Sequence, residues 1–74
     1  MTISTQYAYV IEQGKDGGYW AYLPDLPGCT TTSETLENIE KKLREAVELY
    51  LSYYRDKGEP VPRASARVGT LTAA

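Results

Sequence analysis

The string Pro24-Asp25-Leu26-Pro27-Gly28-Cys29 constrains this chain more than any other stretch. Two prolines three positions apart each fix φ and remove a backbone donor, and Gly28 frees the backbone immediately after the second. No strand or helix runs through such a string, so it is a rigid corner. Before it the apolar residues have a period of two. After it, beyond a short β-branched run, they have a period of three to four.

On the N-terminal side, Tyr7-Ala8-Tyr9-Val10-Ile11-Glu12 reads as a first strand, with Tyr7, Tyr9 and Ile11 on one face. Gln13 to Gly18 is a turn rich in glycine, and Tyr19-Trp20-Ala21-Tyr22-Leu23 is a second strand completing an antiparallel hairpin. Ala21 is small among aromatic neighbours, which places it beneath a closely packed helix. Cys29-Thr30-Thr31-Thr32 is a short third strand. Leu36, Ile39, Leu43, Ala46, Val47, Tyr50, Leu51 and Tyr54 then mark an amphipathic helix over residues 35–57. Thr35 is its N-cap, with Ser33 the alternative, and Lys57-Gly58 ends it ahead of Pro60 and Pro62. A last strand is expected within Ala66–Leu71, and Ala73-Ala74 is expected to fray.

The order β-β-β-α-β predicts an α+β domain, with one helix across a four-stranded mixed sheet of order 3-2-1-4. A single domain over residues 1–74, with its core at about 5–71, accounts for the 74-residue chain. A chain of this size buries only ~60% of its unfolded surface and is marginal alone. A helix of ~34 Å overhangs strands of ~20 Å. Its uncovered end carries Tyr50, Tyr53 and Tyr54, which are therefore expected at a homo-oligomer interface, dimer or tetramer. Seven tyrosines and one tryptophan against no phenylalanine fit half-wet contact surfaces and small sheets alike.

Composition removes whole classes of chemistry. The chain has no histidine, which excludes Cys–His and Ser–His dyads and His-based zinc sites. Its one cysteine, Cys29, excludes an internal disulfide and fits a reducing cytoplasm. No apolar run is long enough to span a membrane, and the N-terminus lacks the pattern of a signal peptide. Glu12, Asp25 and Glu48 are the carboxylates that metal-dependent nuclease chemistry would need together, and nothing in their spacing converges them. Arg55, Lys57, Arg63 and Arg67 read as a solvated surface, and a net charge of −2 argues against a nonspecific grip on nucleic acid. The expectation is a non-enzyme with no catalytic, metal-binding or cofactor-binding residues.

The run Gly18-Tyr19-Trp20-Ala21-Tyr22-Leu23-Pro24-Asp25-Leu26-Pro27-Gly28-Cys29, then Thr-x-x-x-x-Thr, then Glu45-Ala46-Val47-Glu48-Leu49-Tyr50-Leu51, resembles the N-terminal domain of the HicB-like antitoxin family. The resemblance spans roughly residues 7–62. It implies a partial RNase H-like fold and an antitoxin that blocks a small HicA-type mRNA-cleaving toxin. The chain departs from the family pattern at Asn38-Ile39-Glu40, at Lys42 and at Ser33. Many members add a DNA-binding domain, for which 74 residues leave no room, so no direct DNA binding is expected. Occlusion of a basic toxin places Glu12, Asp25 and Leu26 at the toxin contact. Against this, Asp25 has the plainer role of capping its own turn. A solitary, self-associating module without a toxin is the alternative reading, and a small metal-dependent nuclease a remoter one.

Overall fold

The computed structural model describes residues 6–73. Ala74, expected to fray, and the start of the chain lie outside the described residues. Three strands form an antiparallel meander of order β1-β2-β3: β1 Val10–Gln13, β2 Tyr19–Tyr22 and β3 Thr30–Ser33. One helix, α1 Leu36–Lys57, comes after them.

β1 opens at Val10, later than expected, because the ladder runs only from Val10↔Tyr22 to Gln13↔Tyr19. Tyr7 and Tyr9 precede it yet keep the alternation. Tyr7 packs on the core, and the Tyr9 hydroxyl donates to Glu40 Oε1 of α1 at 3.2 Å. The hairpin turn is closed by the Gly14 amide on the Gly18 carbonyl at 2.7 Å. The Asp16 carboxylate accepts from the Gly18 amide at 3.0 Å. Gly17 there takes φ of +91°, which an L side chain rarely adopts.

The helix ends are both chemically specified. The Thr35 hydroxyl accepts from the Asn38 amide at 3.2 Å, so Thr35 is the N-cap and Ser33 instead braces the Thr35 amide at 3.4 Å. At the other end the Gly58 amide donates to the Arg55 carbonyl and the Glu59 amide to the Tyr54 carbonyl. With Gly58 at φ +69° this is a Schellman stop.

The core is small: Ala21, Leu23, Leu26, Cys29, Ile39 and Leu43. Ala21 has no exposed surface, as its small size predicted, and it faces α1 between Ile11 and Thr31 in the ladder. Ile39 and Leu43 are the buried helix residues, with Ala46, Val47, Tyr50 and Leu51 half-buried behind them. Leu36, in the first turn of the helix, is exposed.

The expected fourth strand within Ala66–Leu71, and with it the mixed sheet of order 3-2-1-4, is corrected by the structure. Residues 59–73 enter no ladder, and the sheet is three-stranded and wholly antiparallel. Pro60 and Pro62 have no amide to donate on the approach. Beyond them Val68 and Leu71 are exposed, so no apolar face draws the segment onto the sheet. Residues 62–66 are nonetheless tied to the body by hydrogen bonds at Pro62, Ser65 and Ala66. Pro62, Ala64 and Ala66 are half-buried between exposed Val61, Arg63, Ser65 and Arg67.

Ala21→Leu should overpack the sheet–helix contact and lower stability by ~1–3 kcal/mol. Thr35→Ala should cost about 1 kcal/mol by leaving the Asn38 amide without its side-chain acceptor. Urea unfolding monitored by circular dichroism measures both. An unchanged midpoint for Ala21→Leu would contradict the close helix approach.

Candidate functional site

The corner after β2 is two overlapping turns. The Leu26 amide donates to the Leu23 carbonyl at 3.1 Å, and the Cys29 amide to the Leu26 carbonyl at 3.0 Å. Pro24 and Pro27 each take the second position of their turn, where their fixed φ is already correct. Gly28 takes the third position of the second turn at φ +85°, the requirement of a type II turn. Leu23, Leu26 and Cys29 stand at the ends and the joint of this pair of turns, and all three side chains are buried. Leu26, expected to present a contact surface, is fully buried; its side chain is core. Burial also pushes the Cys29 thiol up, away from the reactive thiolate.

Asp25 points outward from the joint. Its Oδ2 accepts from the Ser65 and Ala66 amides, each at 2.9 Å, and its Oδ1 from the Ser65 hydroxyl at 3.0 Å. The bond from the Ala66 amide, joined by those from Ser65, holds its carboxyl below the usual carboxylate range against a partial desolvation. Asp25 therefore binds a segment forty residues away, with neither its own turn nor open solvent as its main partner. Nearby, the Tyr7 hydroxyl donates to the Pro62 carbonyl at 2.6 Å.

Glu12 lies elsewhere. It is exposed in β1, in the cross-strand row Glu12↔Trp20↔Thr32. Alternation puts that row and the next one, Val10↔Tyr22↔Thr30, on the sheet face opposite Ala21, away from α1. Trp20 and Tyr22 stack there with centroids 4.8 Å apart and planes at 25°, and Trp20 is 40% exposed. The structure thus separates Glu12 from the Asp25 corner and joins it to an aromatic pair. The signal for Trp20 was present in the sequence: once Ala21 faces the helix, both its neighbours must face the other way.

The three helix tyrosines also divide. The Tyr50 hydroxyl donates to the Pro27 carbonyl at 3.0 Å, tying α1 to the corner. Its hydrogen bond with Tyr54, aided by burial, pushes its pKa up to about 12. Tyr54 is half-buried and meets Tyr53 edge-on at 5.6 Å. Tyr53 is exposed, with Lys57 Nζ 4.6 Å from its ring centre and the exposed Leu49 one turn earlier. The corner therefore covers part of the helix end that was expected to overhang bare.

Among the described residues no three His, Cys, Asp or Glu side chains group closely enough to hold a metal ion. No described helix is long and apolar enough to cross a membrane. A groove of about 670 Å³ runs between the hairpin turn and the start of α1 past Asp16, Trp20, Asn38 and Lys42.

Residues 7–74 match the family described as HicB_like antitoxin of bacterial toxin-antitoxin system. A UPF0150 protein of Synechocystis sp. is 35% identical over 66 residues, covering 89% of this chain and 84% of that one. Another, from Thermoplasma acidophilum, is 31% identical over 68 residues, covering 92% and 99%. A third, from Archaeoglobus fulgidus, is 44% identical over 46 residues, 62% of this chain and 67% of its own. A double proline turn set between an aromatic hairpin and a capped helix, with a family match over nearly the whole of it, leads to one conclusion: the chain belongs to the HicB-like antitoxins of bacterial toxin–antitoxin systems.

Proposed function

We propose that this chain neutralises a small HicA-type RNA-cleaving toxin by covering the surface with which that toxin grips RNA. The observation that carries the reading is the helix-free sheet face, where exposed Trp20 stacks on Tyr22 beside the exposed carboxylate of Glu12. An RNA-binding surface is basic and accepts stacked bases. A protein that competes for it needs an aromatic platform and a negative charge, and this face has both. Aromatic residues of this kind carry a large share of binding energy at protein interfaces. The charge chiefly speeds and orients the encounter.

On this reading the action is occlusion, without catalysis and without a cofactor, in the cytoplasm. The buried thiol of Cys29 fits that compartment. The net charge of −2 supports a basic protein as partner and gives no support to direct DNA binding. The RNase H-like ancestry implied by the resemblance belongs to the same proposal, as does a single domain for the whole chain. Leu26 contributes by stiffening the corner from beneath, and Asp25 by holding residues 65–66.

A second reading, self-association, is favoured by the strip Leu49, Tyr53 and Lys57 on α1. Leu49 is 75% and Tyr53 53% exposed in the isolated chain. Residues at this spacing share one helix face. Tyr54 backs the strip, whereas Tyr50 is committed to Pro27.

Expressing this chain together with its flanking reading frames and testing for co-purification of a small basic protein identifies the partner and supplies it for calorimetry. Trp20→Ala should weaken that complex by roughly tenfold or more, since interface hot spots exceed ~1.4 kcal/mol. Glu12→Gln should weaken it less and flatten its dependence on salt. If both variants bind like the parent, the sheet face is not the contact. For self-association, sedimentation equilibrium at micromolar concentration should show a dimer or tetramer that Tyr53→Ala shifts toward the 8.3 kDa monomer. A parent chain already at 8.3 kDa would end that reading.

A further inference from the structure

The segment after α1 has an unusual attachment. It joins no ladder, and its inward side chains, Pro62, Ala64 and Ala66, are small and only half-buried. None of its residues belongs to the core, which ends at Leu51 of the helix. What fixes it is polar: three hydrogen bonds to the Asp25 carboxylate and one from Tyr7 to the Pro62 carbonyl. Upstream it is anchored by the Schellman stop at Gly58, whose bonds lie within the last turn of α1. Downstream, Val68 and Leu71 are exposed.

We propose that residues 60–66 form a strap that opens and closes as a unit on the folded body, with the Asp25 carboxylate as its latch. Release exposes little apolar surface and breaks no core contact, so its free energy lies well below that of global unfolding. Closed, both oxygens of Asp25 are occupied by the chain's own Ser65 and Ala66. Open, the same carboxylate stands free on a rigid corner, available to the cations or amides of another protein. The latch stands on the geometry of this chain alone. Only its consequence for a toxin rests on the antitoxin reading.

The titratable group facing the latch is Tyr7, from the lead-in to β1. Burial raises the pKa of that tyrosine, so it stays neutral throughout the acid range. Because Asp25 is more acidic in the closed state, closure is favoured above its ordinary 3.8 and lost as pH falls through its lowered value.

Amide exchange by NMR and limited trypsin digestion, both on the full chain without a partner, test this. In the parent, the Ser65 and Ala66 amides should be protected, but less than those of Ile39 and Leu43. Asp25→Ala should abolish that protection and speed cleavage after Arg63 and Arg67 several-fold, leaving Ile39 and Leu43 unchanged. Ala66→Pro deletes one donor outside the core, and it should act in the same direction if Asp25→Ala fails to fold. Asp25→Asn keeps an acceptor oxygen and should fall between. In the parent the Ser65 and Ala66 amide shifts should titrate together with a midpoint below 3.8. Protection at 65–66 that survives Asp25→Ala would overturn the latch. So would strap amides that are unprotected in the parent, or that exchange in step with Ile39 and Leu43.

Discussion

The burial of Leu26 at the joint of two turns is the interaction on which the rest of this structure depends. The two prolines and Gly28 hold the turns in the one geometry that drives Leu26 inward, between Leu23 and Cys29. Those three side chains supply half of a six-residue core. The same corner offers the Pro27 carbonyl to Tyr50, which sets where the second half of α1 lies. It also aims Asp25 outward, which sets where residues 65–66 lie. A loop sequence that looks like a surface display is thus the floor of the domain, with one polar side chain on its outer rim.

A chain this small cannot cover all that it folds. Four-residue strands give α1 a short platform, and the corner adds a further tie to the helix through Tyr50 and the Pro27 carbonyl. One helix covers one sheet face, and the other keeps Trp20, Tyr22 and Glu12 in contact with solvent. The domain thus leaves an aromatic pair and a helix strip of Leu49 and Tyr53 open, and it is on these surfaces that the proposed contacts rest. Membership of an antitoxin family is consistent with that economy. The fold contributes rigid, preorganised surface, and among the described residues no three His, Cys, Asp or Glu side chains group closely enough to hold a metal ion.

The strap shows how side chains can substitute for a strand. With prolines at 60 and 62, the segment has too few donors to extend the ladder. Asp25 and Tyr7 take up a share of its backbone polar groups instead. Such an attachment is specific, but it is concentrated on one carboxylate, whereas a ladder spreads its bonds over many residues. Concentration of that kind makes a segment detachable without loss of the fold.

Local chemistry was legible in the residues themselves. Thr35 and Gly58 bound the helix because each satisfies backbone groups within a few residues of itself. The inward position of Ala21 followed from its side-chain size, and the burial of Cys29 from its place at the start of a short strand. What the sequence could not show were contacts made across long separations. The identity of Asp25's partner forty residues on, the depth of Leu26, and the refusal of residues 66–71 to form a strand all depend on which surfaces meet after the chain closes. Capping and turn formation are decided by neighbours along the chain, so residue type determines them. Burial and pairing are decided by neighbours in space, and only the packed structure has those.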